Sequence, residues 1–235
     1  RHDVNSAFED KTTYKFEGAY LHRPTQTRIR GAHATGFRAP SINDLFFPGF
    51  SNPDLKPEES ESFEIGLDQK LLDDRIQISI TFFDSDFTNL IQFDSSTFRP
   101  ENIGRAESRG LETAIDLQAT DDLDVRFRHT WNETFDQDDA PLRRRAKHKF
   151  TATVHHNWQN ALDSLVSVYV RSGIRDGTFN TDAFTTVRAA LSYQATPNVK
   201  FTLRGENLLD EDYEEIPGFG TAGISGFAGL VISSP

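Results

Sequence analysis

The residues with chemical potential in this chain are scattered, and most of them fall in polar connections. Asp136, Asp138 and Asp139 gather oxygen ligands of the kind that hold calcium. Their spacing lacks the turn glycine and distal glutamate of a calcium loop, so a solvated acidic loop is expected and no metal site is assigned. A basic run follows at Arg143, Arg144, Arg145, Lys147 and His148. Such a run contacts anionic lipid, receives an acidic ligand, or positions the strand after it. His155 and His156 are adjacent, so on a strand they point to opposite faces and cannot chelate one ion. His2, His22, His33 and His129 show no ligand spacing. Phe46, Phe47 and Phe50 stand in a proline-rich stretch, where they either meet a ligand or pack the loop; packing is the expected use. There is no G-x-S-x-G, no histidine pair with a carboxylate at metal spacing, and no phosphate-cradling glycine loop. No catalytic set emerges, and neither an enzyme nor a cofactor is expected.

Composition narrows the class. The chain has 235 residues, with 36% hydrophobic content and 20 phenylalanines. Its mean hydropathy is −0.55. Polar on average yet rich in aromatics suits strands with one apolar and one polar face, and the aromatic content is too high for a disordered chain. No apolar run approaches the roughly 18 residues of a membrane helix, which leaves barrel strands open. The absence of cysteine removes disulfides and thiolate metal sites. A net charge of −11 argues against broad nucleic-acid binding.

Period-2 alternation recurs along the chain and predicts strands. Tyr14, Phe16, Gly18 and Tyr20 oppose Lys15, Glu17 and Ala19. Similar patterns cover 27–37, 63–71, 75–93, 110–119, 123–131, 150–158, 165–170, 186–195, 199–206 and 223–233, with a weak signal over 2–9. That makes about twelve strands with no helix-period segment. Within 75–93 the apolar parity slips from Ile76, Ile78, Ile80 and Phe82 to Phe83, Phe87, Ile91 and Phe93, and a bulge near Phe82–Asp84 is expected to exchange the faces. Connections alternate between tight turns, after 22, 71, 119, 159 and 195, and longer loops, after 37, 93, 131, 174 and 207. This is the layout of an up-and-down transmembrane barrel. The strands exceed the usual 5–6 residues of soluble sheets, and their polar faces carry both charge signs. Tyr20, Trp131, Trp158 and Tyr193 fall near strand ends, where aromatic girdles sit. A soluble β-rich module, with the apolar faces inward, remains the alternative.

The stretch from Gly36 to Leu67, GFRAPSINDLFFPGFSNPDLKPEESESFEIGL, breaks its strand at Pro40 and carries Pro48, Pro53 and Pro57, which excludes a sheet interior there. FRAPS, NPDLKPE and ES-x-E-x-G in this stretch resemble the barrel signature of TonB-dependent outer-membrane receptors of the cobalamin and siderophore type. NIGRAESRGLE (102–112), LRGENLLDEDYEE (203–215) and GFAGL near the end agree with it.

The resemblance implies a single barrel domain over 1–235, the C-terminal portion of a 22-stranded barrel, with the plug and the coupling box lying elsewhere. It assigns structural roles to Arg38, Pro40, Asn52, Pro53, Leu55, Pro57, Glu58, Gly104, Gly110, Glu112, Asn207 and Leu208. Arg38 and Glu58 are expected to pair across the loop. Phe46, Phe47, Phe50, Arg143 and Arg144 become the candidate ligand contacts, on loops facing the cell exterior. The implied function is capture and import of a scarce metal chelate or cobalamin, with energy from the TonB complex. The implied partners are that complex, outer-membrane lipid and the barrel-assembly machinery, and the implied location is the outer membrane of a Gram-negative bacterium. Family members usually end on an aromatic; here Ser234 stands in its place, with Pro235 beyond. A passive porin is the rival within the membrane class.

Overall fold

The computed structural model describes residues 1–4, 10–94, 96–158, 161–176 and 179–233. The expectation concerning Ser234 and Pro235 lies outside the described residues. Eleven strands form one antiparallel sheet in which each strand pairs with its neighbours in sequence. They are β1 Lys15–His22, β2 Thr27–Arg38, β3 Glu58–Leu71, β4 Ile76–Asp94, β5 Arg99–Gln118 and β6 Leu123–Asp136. β7 His148–Trp158, β8 Leu162–Arg171, β9 Phe184–Thr196, β10 Val199–Glu206 and β11 Ser225–Ile232 complete the sheet. Of the strand expected over 2–9, residues 5–9 lie outside the described residues; among the described residues His2–Asp3 pairs with Lys11–Thr12 as a separate ribbon and does not join the sheet. One five-residue helix, α1 Ile42–Phe46, lies in the connection between β2 and β3.

The register aligns apolar residues into rows across many strands. Leu71, Ile76, Leu117, Val125, Val154, Val166 and Ala189 are successive cross-strand partners. One row higher run Ile78, Ile115, Phe127, Ala152, Val168 and Val187. Paired residues share a face, so these rows make one continuous apolar surface. It is not covered by protein: Phe63, Ile65, Val154, Val166, Leu191, Phe201 and Leu203 are all exposed, Leu203 at 57%. Among the described residues no large side chain is fully buried. A soluble domain of this length gathers its apolar side chains into a contiguous core. Ile76, Leu117, Phe127 and Leu203 do not form one, which overturns the soluble alternative.

The apolar band has edges. Toward the tight turns, Trp158, Leu162, Tyr193, Phe201 and Leu230 form one row. Toward the long loops, Ile65, Phe82, Leu111 and Trp131 form another, and the next row on the same face is Phe63, Asp84, Arg109 and Glu133. Trp131 pairs with His148, so the two tryptophan levels are separated by the length of β7. At ~3.3 Å per residue that is about 33 Å along the strand, or about 25 Å of height at the ~40° tilt of membrane barrels. The height matches the hydrocarbon layer, and the aromatics sit where a girdle belongs.

The opposite face is polar and wet. Arg30 Nε donates to Asp68 (3.3 Å), Ser79 Oγ donates to the other Asp68 oxygen (2.7 Å), and Arg30 Nη2 reaches Thr81. Arg128 Nη2 lies 2.7 and 2.8 Å from the two oxygens of Asp116, and Thr153 and Ser167 share a hydrogen bond of 2.9 Å. Half-exposed pairs of this kind add little stability. Their consequence is that this face is compatible with water and not with lipid.

No bulge interrupts β4 at Phe82–Asp84; its register with β3 and β5 is continuous there. The change of parity is a change of environment. Below Phe82 the apolar side chains face outward to hydrocarbon; above it the strand has left the band, and Phe83 and Phe93 turn to the opposite face to pack other protein groups. The expected loop at 94–101 is instead the tip of a long hairpin, since β4 has 19 residues and β5 has 20. Residues 99–109 gave no alternation because both faces of that extension stand clear of the apolar band.

Candidate functional site at the long-loop end

Among the described residues the few buried hydrophobic ones, Leu55, Ala106, Ala146, Ile174 and Phe184, all belong to the long-loop half of the sheet or to the loops themselves. Order at this end is built by hydrogen bonds and small aromatic clusters.

The connection 39–57 is clamped at its base. Arg38 Nε and Nη2 both donate to the carboxylate of Glu58, the residue paired with it in the β2–β3 ladder. Glu58 is buried, and one of its oxygens also accepts the backbone N–H of Ile91 at 2.7 Å. Hydrogen bonding to Glu58 raises the pKa of Arg38 above its ordinary value, partly offset by burial. The expected Arg38–Glu58 pair is therefore present and does more than close the loop, because it also ties β3 to β4. Asn102, on β5, supplies a second clamp: its Oδ1 accepts Lys56 N–H (2.8 Å), and its Nδ2 donates to Lys56 O (3.0 Å) and Asn89 O (2.6 Å). Asn52 Nδ2 donates to Pro100 O at 3.0 Å, while Asn52 Oδ1 accepts Asp54 N–H in a local turn. Pro40, Leu55 and Pro57 are buried and Pro53 is exposed.

The helix α1 begins at Ser41, whose hydroxyl accepts Asp44 N–H while the Asp44 carboxylate accepts Ser41 N–H, a reciprocal cap. Phe47 and Phe50 lie 4.5 Å apart, Phe50 meets Phe93 edge-on at 6.2 Å, and Phe93 meets Phe98 at 5.4 Å. Two of the three candidate phenylalanines thus pack the loop onto the β4–β5 hairpin. Phe46 is different: it is 67% exposed, and Ile42, one helical turn earlier, is 79% exposed.

The basic run is divided in the same way. Arg144 Nε donates to Asp176 at 2.8 Å and its N–H donates to Arg175 O, which joins loop 137–147 to loop 172–183. Lys147 pairs with Glu133 at 2.6 Å. The Arg143 side chain is exposed and carries no hydrogen bond or ion pair among the described residues. The Asp136 carboxylate closes a turn by accepting the N–H groups of Asp138 (2.9 Å) and Ala140 (3.0 Å). Among the described residues no group of three metal-ligating side chains converges.

The remaining motif residues take structural positions. A Cβ at Gly110 would lie 2.1 Å from the carbonyl oxygen of Trp131 and 2.6 Å from the Phe83 ring, so only glycine fits. At Gly104 it would meet the end of the Gln137 side chain. Glu112 stands exposed on the polar face between Thr81 and Thr130. Asn207, buried and at φ +47°, holds the last loop: its Nδ2 donates to Glu211 O and Ala222 O, and its Oδ1 accepts Glu211 N–H. Leu208 packs over Gly205 and donates its N–H to Val187 O.

A cluster that no sequence signal marked lies between loops 172–183 and 207–224. Arg171 is buried, its guanidinium 4.7 Å over the Phe184 ring, and Phe184 stacks on Tyr213 at 4.1 Å. Arg171 Nη2 reaches Thr181 Oγ1 (3.4 Å), Glu214 O (3.2 Å) and Glu215 O (3.4 Å). Arg171 and Phe184 are polar-face neighbours in the β8–β9 ladder, so the cluster lies on the wet side of the sheet.

Long antiparallel strands with an apolar outer band, girdles at both edges, a wet inner face and ordered loops at one end define a segment of a transmembrane β-barrel. The chain belongs to the family described as TonB dependent receptor-like, beta-barrel, whose model matches residues 1–208. It is 33% identical over 229 residues to a vitamin B12 transporter of Photobacterium profundum, covering 91% of this chain and 36% of that protein. A vitamin B12 transporter of Vibrio vulnificus is 30% identical over 220 residues, covering 91% of this chain and 35% of its own length. The chain therefore spans about a third of these curated relatives. Among solved structures, the siderophore receptor PirA of Acinetobacter baumannii superposes with a TM-score of 0.81 at 15% identity, covering 97% of this chain and 41% of that one. The copper transporter OprC gives 0.81 at 16%, covering 94% and 39%. At those identities the likeness establishes the fold alone.

Proposed function

We propose that residues 1–235 form one domain, the C-terminal half of the barrel of an outer-membrane receptor that binds a scarce nutrient and imports it with energy from the TonB complex. The observation that carries this reading is the alignment of 91% of the chain with a vitamin B12 transporter at 33% identity. Cobalamin is accordingly the first ligand to test and an iron–siderophore the second. The tight turns face the periplasm and the long loops the exterior. The polar face lines the lumen, where it meets a plug supplied by another part of the polypeptide. The barrel segment holds no catalytic chemistry; its share of the mechanism is to present ordered loops above a wet lumen.

Within that frame Phe46 and Arg143 are the ligand-contact candidates, because their side chains are exposed and uncommitted. Phe47, Phe50 and Arg144 act in loop architecture. The motif residues from Arg38 to Glu58, with Asn207 and Leu208, hold the loops in place.

The test is uptake of labelled cobalamin by cells whose own receptor has been deleted and replaced by the full-length polypeptide, with and without a functional TonB complex. TonB-dependent uptake, reduced by Phe46→Ala and Arg143→Ala with barrel assembly intact, is the expected result. A plug-independent open conductance in planar bilayers would show a passive porin instead. Uptake of an iron chelate but not cobalamin would retain the class and change the ligand.

A further inference from the structure

The β6–β7 register brings together two histidines that the sequence separates by 19 positions. Trp131 pairs with His148 and His129 pairs with Phe150, so the two imidazoles are diagonal neighbours on the apolar face. His129 Nε2 and His148 Nδ1 are 3.2 Å apart, and the ring planes lie within 9° of parallel. The second nitrogen of each ring has no partner among the described residues. Both backbones are fixed: His129 lies between two paired strands, and His148 N–H donates to Ser172 Oγ while its carbonyl accepts Ser172 N–H. Glu133, on the same face, is held by Lys147 and Arg109 and supplies negative charge beside His148.

We propose that His129 and His148 bind a divalent transition-metal ion. Imidazole nitrogens sit ~2.0–2.1 Å from such ions, so two ligands in neighbouring positions of a tetrahedral or square-planar site are about 2.9–3.4 Å apart. The observed separation falls in that interval, and rotation of the half-buried His129 ring and the exposed His148 ring turns both lone pairs toward one point. For the metal to enter, the proton that now lies between the two nitrogens moves to the outer nitrogen of its own ring, so that each neutral imidazole offers a lone pair, and water completes the coordination. The site lies on the outer face at the level of Trp131, away from the lumen, so it is separate from any import path. Because β6 and β7 flank loop 137–147, a bound ion staples the base of that loop.

The experiment is a Cu2+ titration of the full-length polypeptide in detergent micelles, followed by electron paramagnetic resonance. The expected result is a saturable one-to-one component with nitrogen splitting. His129→Gln and His148→Gln should each weaken it at least tenfold, and His156→Gln, also on the apolar face, should leave it unchanged. Heat-modifiable migration verifies that each variant is folded. A second readout leaves both histidines in place: Cu2+ should quench the fluorescence contributed by Trp131, a loss absent in Trp131→Phe and retained in Trp158→Phe. A component that survives either glutamine substitution, or quenching that follows Trp158, overturns the proposal.

Discussion

The guanidinium of Arg171 sits 4.7 Å above the ring of Phe184, and that contact fastens two loops to the barrel wall. Phe184 passes the contact to Tyr213 in the last long loop, while Arg171 itself reaches two carbonyl oxygens of that loop and Thr181 of the one before it. Desolvation strengthens the cation–π attraction, because water no longer competes for the charge. Arg171→Ala is expected to cost about 2 kcal/mol through the lost stacking and hydrogen bonds. Arg171→Lys restores the charge but cannot span the same acceptors, so it recovers only part. The measurement is hydrogen exchange of 172–183 and 207–224 in the full-length polypeptide: both loops should loosen together in Arg171→Ala, and loosening of one alone would mean they are not coupled through this side chain.

The strands and their faces were legible because one physical demand, apolar toward lipid and polar toward water, repeats every second residue through the band. Where that demand ends, legibility ends. Residues 99–109 are strand, yet both faces stand outside the hydrocarbon and the pattern disappears. The parity slip at Phe83 was visible, but alternation alone cannot separate a bulge from a change of surroundings; the continuous register separates them. The clamp role of Glu58 followed from its position opposite Arg38, whereas its bond to Ile91 N–H depends on a third strand. Arg171 with Phe184, and His129 with His148, are products of register between strands, and nothing local announces them.

The apolar rows give a directional prediction. Ile80 lies one row inside the Phe82 edge of the band on β4 and points outward, while Gln77 faces the lumen side opposite Asp116. Ile80→Arg places a charge in the outer part of the hydrocarbon layer and is expected to destabilise by about 1–3 kcal/mol. Gln77→Arg meets water and a carboxylate and should cost less than about 0.5 kcal/mol. Urea unfolding from lipid vesicles compares the two. Equal losses would mean that the assignment of faces is wrong.

The base of loop 39–57 depends on a carboxylate with two tasks. Glu58→Ala removes the partner of Arg38 and leaves Ile91 N–H without an acceptor, a cost of about 1–3 kcal/mol. Glu58→Gln keeps an acceptor for Ile91 while losing the ion pair, so its cost should be intermediate. Asn102→Ala opens the second clamp on Lys56 and should release the same loop. Limited proteolysis between 41 and 56 is the readout: cleavage should accelerate in the order Gln, then Ala at position 58. If Glu58→Gln cleaves as fast as Glu58→Ala, the ion pair alone holds the loop and the Ile91 bond is incidental.

Two glycines test whether close approach or backbone freedom explains the motif around 110. At Gly110 a methyl group would stand 2.1 Å from the Trp131 carbonyl oxygen, a backbone atom fixed by the β5–β6 ladder. The strand cannot move away without breaking the ladder, and the Phe83 ring blocks the other direction. Gly110→Ala is therefore expected to destabilise by about 1–3 kcal/mol through overpacking. Gly18, on the outer face of β1, has no neighbouring atom within 4 Å of the same methyl position. Gly18→Ala should be neutral or slightly stabilising, because alanine narrows the unfolded ensemble. Phe83→Leu combined with Gly110→Ala separates the two contacts at Gly110. Relief in the double variant would assign the clash to the ring, and no relief would assign it to the Trp131 carbonyl, as the shorter distance predicts.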